Sequence, residues 1–269
     1  MPSRRRVLGL LPVVLAAACS GGDGDARDAE PPSGSGGDSS RQMMRLETPL
    51  SSIDLSVTEG SASEWADRVK RAAGDVATIW GKAHGSVRVA VVDDATFAAA
   101  ADGLDGSTAA VTTSDGRVLV SPSAARSLTD IGRQVVIAHE LAHVRLRHFG
   151  SDRTALWLKE GAAEWTATPD QAPRLPARWP NLAAAHNARQ EHFTGPPPAQ
   201  QFQRDARLGY EWSAAYVTYL AHVAGAAVIK RLVQSRADEE HASSSARQLL
   251  PDSAQSFAAW LDRALDSGS

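Results

Sequence analysis

Two histidines and a glutamate are spaced so that the histidines could bind a metal ion and the glutamate could act as a base beside it. His139, Glu140 and His143 form an H-E-x-x-H motif within a segment of helical periodicity. Residues four apart share one face of a helix, with Cβ atoms about 6 Å apart, so both imidazoles can reach one ion. Glu140 projects beside that pair, where it can act as a base on water. The plainer alternative is two helix histidines with ordinary partners beside an exposed acid.

A second segment can supply a third ligand. Residues 157–165 read W-L-K-E-G-A-A-E-W and are expected to form a helix that returns antiparallel over the first. Glu160 would then complete a His₂Glu set that leaves a fourth position for water, as catalytic zinc requires. Glu164, one turn on, could accept the outer N–H of a ligating imidazole. The reverse assignment, with Glu164 as ligand and Glu160 as its support, stays open, and so does a solvated Glu164.

These motifs resemble those of the gluzincin metallopeptidases, the thermolysin and aminopeptidase N clan, and most closely the bacterial peptidase MA-like group. The resemblance spans roughly residues 60–235. It implies that Glu160 is the third zinc ligand. Residues 209–217, G-Y-E-W-S-A-A-Y-V, are similar to the clan's Y-x-x-G/S element, which implies that Tyr210 donates a hydrogen bond to the tetrahedral intermediate. A buried Tyr210 bonded to a backbone carbonyl would give the same pattern. No G-x-M-E-N exopeptidase element occurs before His139, which favours an endopeptidase or a peptidase of unknown register.

The expected activity is hydrolysis of peptide bonds with one Zn²⁺ per chain. Zinc would lower the pKa of its water to about 7, and Glu140 would serve as general base and then as general acid. Zinc and the Tyr210 hydroxyl would stabilise the charge that develops on the scissile oxygen. The second hypothesis is a non-catalytic zinc-binding or scaffold module on a peptidase-like fold. Such a module would typically lose Glu140 or Tyr210, and both are present.

The peptide or protein substrate is expected to lie along a strand before the active-site helix. Residues 117–121 are predicted to form an edge strand, whose Val118, Leu119 and Val120 would contact the substrate by strand addition. The alternative is a plain core strand.

Periodicity predicts an α+β fold in which helices pack on the H-E-x-x-H helix, and the resemblance to gluzincins implies that this arrangement is zincin-like. An α/β half over about 55–150 would carry a small mixed or antiparallel sheet, with a cleft between it and an all-helical half over about 151–269. Strands are expected at 87–92, 108–113 and 117–121, and helices at 63–80, 94–101, 129–149 and 154–166. Two or three more helices are expected over 212–233 and 253–265, after a loop at 194–202. His148 is expected to end the active-site helix as a cation, and the alternative is that it binds metal.

The first residues have the features of an export signal. Arg4–Arg6, an apolar run and Cys19 predict a signal peptide over 1–19 with a lipobox-like cysteine, and the arginines resemble a twin-arginine signal. The alternative is an ordinary cleaved signal with an incidental Cys19. Residues 20–50 are predicted to be a disordered tether before a folded domain over 51–269. A lipoprotein on the extracytoplasmic face of the cell membrane follows.

The composition limits the class of protein. The 28 basic and 31 acidic residues are nearly balanced, which argues against a nucleic-acid partner. The single cysteine excludes a disulfide framework and a Cys₄ zinc site. No run of about 18 apolar residues follows the N-terminus, which excludes a polytopic membrane protein. We expect a monomer, attached to the membrane only through Cys19.

Overall fold

The computed structural model describes residues 41–58, 60–101, 108–121, 126–149, 152–168, 179–250 and 256–266. The predicted signal peptide and the first part of the predicted tether, residues 1–40, lie outside these ranges. Export and lipidation of Cys19 therefore stay predictions. None of the helices within the described ranges is both long enough and apolar enough to cross a bilayer.

The described strands form one mixed sheet. They are β1 (Gln42–Glu47), β2 (Ser52–Val57), β3 (Val87–Val91), β4 (Ala110–Thr112) and β5 (Val118–Val120). Their order across the sheet is β1-β2-β3-β5-β4. The β1–β2 and β4–β5 pairs are antiparallel, whereas β3 runs parallel to β2 and to β5. This mixed sheet, with helices packed on it, confirms the predicted α+β class.

The predicted tether of 20–50 extends too far. Gln42–Glu47 forms strand β1, and Leu46 and Leu50 are buried in the main core. The strand is hard to detect because Leu46 is the only buried residue in it, so its sequence shows no alternation of apolar and polar residues. Strand β1 is stabilised instead by antiparallel pairing with β2, whose Ile53, Leu55 and Val57 are fully buried.

The predicted substrate strand is not at the edge of the sheet. Strand β5, with Val118, Leu119 and Val120, pairs with β3 on one side and with β4 on the other. Its backbone groups are already engaged in both ladders, so it cannot accept a substrate by strand addition. The outermost described strand on this side is β4.

Ten helices lie within the described ranges. They are α1 (Ala62–Trp80), α2 (Asp94–Ala100), α3 (Asp130–Leu146), α4 (Leu156–Ala167), α5 (Pro180–Asn187), α6 (Ala199–Arg204), α7 (Ala206–Ala224), α8 (Ala226–Gln234), α9 (Glu239–Gln248) and α10 (Phe257–Asp266). From residue 152 onward the described chain contains helices and loops only, as expected. The helical region predicted over 212–233 forms two helices that divide at Gly225, whose φ of 87° an L side chain rarely adopts. The predicted loop 194–202 is helical from Ala199 onward.

The sheet separates two apolar clusters of unequal size. Val118 and Val120 face the main core, which includes the buried faces of α1, α3, α4 and α7. Leu119 and Val111 point to the other face and pack with Phe97 of α2. This alternation follows from the period of two in a strand. The helix that carries the H-E-x-x-H motif therefore lies in the main core.

Polar contacts near both ends attach α3 to α1. Near the first turn of α3, Arg68 of α1 contacts Asp130, with Nη2 2.7 Å from Oδ1. Near its last turn, Arg145 Nη2 donates to the carbonyl of Trp80 at 2.6 Å. These contacts restrain the sliding of α3 along α1 and so help to fix the position of its histidines.

Candidate metal centre

Three buried side chains from α3 and α4 converge on one point. His139 Nε2 lies 3.1 Å from His143 Nε2 and 3.3 Å from Glu160 Oε2. His143 Nε2 lies 3.4 Å from the same oxygen. This buried group could hold a metal ion.

The observed spacing suits a tetrahedral ion. Atoms that bind zinc at about 2.0–2.1 Å and at tetrahedral angles lie about 3.3 Å from one another. Two imidazole nitrogens and a carboxylate oxygen bring lone pairs together, and burying them requires a cation or shared protons. The second oxygen of Glu160, Oε1, has no hydrogen-bond partner in the described part of the chain. The residues present therefore fit a divalent cation that prefers nitrogen and oxygen ligands.

Electrostatics keep Glu160 in the form that a ligand needs. Burial by itself would raise the pKa of Glu160, but the imidazoles of His143 and His139 outweigh burial and hold the pKa far below its usual value. Burial would likewise lower the pKa of His139, and the neighbouring carboxylates of Glu160 and Glu164 more than reverse that effect. Glu160 is thus an ionised carboxylate at neutral pH, as metal ligation requires.

Helix α4, which bears Glu160, packs closely on α7, and this packing contributes to the position of Glu160 near the histidines. A Cβ atom on Gly161 would lie 2.6 Å from the backbone oxygen of Ser213 and 2.6 Å from Val217 Cγ2. Only a glycine lets the two helices approach this closely. This packing therefore requires a glycine at position 161, next to Glu160.

Glu164 and Glu160 face different nitrogens of His139. Glu160 Oε2 is close to Nε2, the nitrogen that also faces His143. Glu164 Oε2 is 3.6 Å from Nδ1, and its side chain is 15% exposed. The structure thus brings both acids to the same imidazole but on opposite sides of the ring.

Glu140 is buried, not exposed. Only 1% of its surface is accessible, and Oε2 accepts a hydrogen bond of 2.6 Å from the hydroxyl of Thr112. This argues against the plain interpretation of Glu140 as a solvated helix acid. The sequence does not indicate Thr112, because a short β-branched segment does not show which helix its side chains will face.

His148 is not the helix-terminal cation that its sequence position indicated. It is 1% exposed, and its ring centroid is 5.7 Å from that of His143. Burial and the nearby His143 lower the pKa of His148 well below its usual value. The residue is therefore neutral at pH 7 and forms part of the buried surroundings of His143.

Tyr210 lies on α7, one turn before the crossing at Ser213 where α7 meets Gly161. Its half-buried ring packs edge-on against Phe202, with centroids 5.5 Å apart. The adjacent Glu211 accepts hydrogen bonds from Asn181 Nδ2 at 2.6 Å and from a backbone N–H of α5. These contacts fix the start of α7 and the position of Tyr210. Its role in a reaction stays a prediction.

A cavity of about 1020 Å³ lies elsewhere in the helical half. Its described lining includes Trp212, Tyr216, Tyr219 and Phe257 together with the residues of the 194–198 loop. None of the three converging side chains contributes to that lining. The cavity is thus separate from the candidate metal centre.

Comparisons with known proteins do not identify a family. No protein-family model matches the chain, and no curated protein matches it significantly. The resemblance to gluzincins therefore rests on the motifs themselves.

Proposed function

We propose that this protein is a zinc-dependent peptidase of the gluzincin type, and that the arrangement around α3 is zincin-like. The observation that carries the proposal is the convergence of His139, His143 and Glu160 at 3.1–3.4 Å. A buried carboxylate, Glu140, is the immediate neighbour of one ligand in the chain. A metal site flanked by a base is the arrangement that hydrolytic chemistry requires.

Zinc is the metal that best matches the donor set. Two imidazole nitrogens and one carboxylate oxygen are the ligands of several catalytic zinc sites, which keep a further position open. Bound there, zinc would supply a water with a pKa of about 7 and polarise the substrate carbonyl. His139, His143 and Glu160 would hold it, and a chain with a single cysteine offers no Cys-rich alternative.

We assign Glu160 as ligand and Glu164 as the residue that orients His139. A ligating imidazole usually donates its outer N–H to a carboxylate, which fixes its tautomer and its plane. Glu164 lies on that outer side, at 3.6 Å from Nδ1. Glu160 lies on the inner side, where both Nε2 atoms point.

Glu140 would act as the general base. It would remove a proton from the attacking water and return it to the leaving amine, so a single carboxyl group serves both halves of the reaction. Tyr210 would donate a hydrogen bond to the scissile oxygen as negative charge develops there, a contribution that typically amounts to about 3 kcal/mol. The substrate class is a peptide or protein, cleaved as by an endopeptidase.

The decisive variant is Glu140→Gln. We expect about one zinc per chain in the parent and in the variant, because Glu140 is not a ligand. Hydrolysis should fall by roughly 10³-fold or more, because the amide cannot accept the proton. The measurement is the metal content of the purified protein together with mass-spectrometric detection of cleavage in a peptide library.

Glu64→Gln is the matched control, since Glu64 is an exposed acid in the first turn of α1. It should keep both zinc and activity. Retained hydrolysis in Glu140→Gln would overturn the mechanism. A parent protein that binds no zinc would overturn the proposed function in favour of a non-catalytic module.

A further inference from the structure

The hydroxyl of Thr112 makes a short contact with the carboxylate of Glu140. Oγ1 lies 2.6 Å from Oε2 and 3.3 Å from the backbone oxygen of the same residue. A threonine hydroxyl has one proton to donate, and the shorter contact, to the carboxylate oxygen, takes it. Both side chains are buried, with 4% of Thr112 and 1% of Glu140 exposed. Solvent therefore competes little for this hydrogen bond.

The hydroxyl belongs to a rigid part of the molecule. Thr112 ends strand β4 and pairs with Val118 of β5 in antiparallel register. Alternation along β4 directs Ala110 to the main core and Val111 to the opposite face. Thr112 therefore points, like Ala110, toward the side on which α3 lies. A group held on a strand can fix a partner within a fraction of an ångström, which a mobile loop does not do.

We propose that Thr112 is the positioning residue of the general base. The hydroxyl holds Oε2 of Glu140 and thereby leaves the other oxygen, Oε1, to receive the proton. The inference rests on the proposed peptidase function and deepens it by naming what aims its base. A glutamate side chain has three rotatable torsions, and a misplaced base loses rate even when it remains in the site. Thr112 does not touch the substrate in this proposal.

A purely structural role makes a different prediction. A β-branched residue is favoured in a strand for its shape, and valine has nearly the same shape as threonine without the hydroxyl. If packing were the role of Thr112, Thr112→Val would be harmless and Thr112→Ser would be the worse variant. If the hydroxyl is what matters, the order is reversed.

The test compares Thr112→Val and Thr112→Ser in the zinc-loaded protein. Thr112→Val should lower kcat by roughly 10- to 100-fold, with KM changed by no more than about twofold and with zinc retained. Thr112→Ser should recover kcat to within about threefold of the parent. Crystal structures of both variants give a readout besides activity, since the Glu140 carboxylate should turn away only in Thr112→Val.

Three results would overturn the proposal. They are an unchanged kcat in Thr112→Val, an equal loss of kcat in both variants, and an unmoved Glu140 carboxylate in the Thr112→Val structure. Each concerns Thr112 alone, because the parent remains active. A zinc-loaded parent that cleaves no peptide would instead overturn the proposed function, and the positioning role with it.

Discussion

His139 lies between two carboxylates to which we assign different roles, and the assignment depends on the nitrogen that each one faces. Glu160 approaches Nε2 at 3.3 Å, while Glu164 approaches Nδ1 at 3.6 Å. Removing a ligand takes away a bond to the metal, whereas removing an orienting acid only loosens the imidazole. The two acids lie one turn apart on the same helix, so they form a natural pair for comparison.

Glu160→Gln and Glu164→Gln should therefore differ in zinc affinity. We expect Glu164→Gln to weaken binding by roughly 10- to 100-fold, as is typical for outer partners of metal ligands. Glu160→Gln should weaken binding more than that, because the amide removes the only negative charge among the proposed ligands. Competition with a chromophoric chelator measures both dissociation constants. A larger loss in Glu164→Gln would exchange the two assignments.

At the scale of elements, the site depends on how closely α4 and α7 pack. Gly161 allows the backbone of Ser213 to approach, and Glu160 precedes it directly on α4. Trp157, at the start of α4, packs edge-on against Tyr216 of α7 with centroids 5.4 Å apart. The α4–α7 contact thus helps to hold α4, and Glu160 with it, in the main core.

Gly161→Ala should destabilise the protein although alanine favours a helix. The added methyl group would meet Ser213 O and Val217 Cγ2 at 2.6 Å, and such overpacking costs about 1–3 kcal/mol. The gain in helix propensity offsets only about 1 kcal/mol. We expect a net loss of up to about 2 kcal/mol in the free energy of unfolding, measured in urea, together with weaker zinc binding.

The control is Gly74→Ala in α1, where an added Cβ has no atom within 4 Å. It should raise the free energy of unfolding by about 0.5–1 kcal/mol, since only helix propensity changes. If Gly161→Ala raised the free energy of unfolding as Gly74→Ala is expected to do, the close approach of α7 at Gly161 would be contradicted.

At the scale of the whole molecule, a buried acid should give the stability a dependence on pH. Burial raises the pKa of Glu211 to about 7, although hydrogen bonds from Leu182 and Asn181 partly oppose the shift. The folded protein then binds a proton here that the unfolded chain has already lost. The stabilisation from this group is complete below the usual carboxyl pKa and is lost as the pH rises through about 7.

Replacing this acid should flatten the pH profile. Between pH 5 and pH 8 we expect the free energy of unfolding of the parent to fall by at most about 3 kcal/mol from this group. Glu211→Gln, which cannot ionise, should show a smaller fall. Urea unfolding at pH 5 and pH 8 measures this change in the free energy of unfolding. The control is Glu47→Gln, since Glu47 is exposed. An equal slope in parent and Glu211→Gln would rule out Glu211 as the source.

Several features could be predicted because they depend on neighbouring residues in the chain. The spacing of His139 and His143 places both on one face of any helix that contains them. The apolar period around them predicted that helix, and α3 extends over Asp130–Leu146. The same local rules predicted α4 with Glu160, and the all-helical character of the described second half.

Other features depended on which distant segments of the chain meet, so they became visible only in the fold. Strand order placed β5 inside the sheet, and pairing with β2 made a strand of Gln42–Glu47. The hydrogen bond from Thr112 to Glu140 joins residues 28 positions apart in the chain. Sequence periodicity records which face of an element is apolar, but not which element will cover it. The spacing of the histidines and the helix that bears them therefore follow from local sequence. The residues that contact this helix and position Glu140 follow from tertiary contacts.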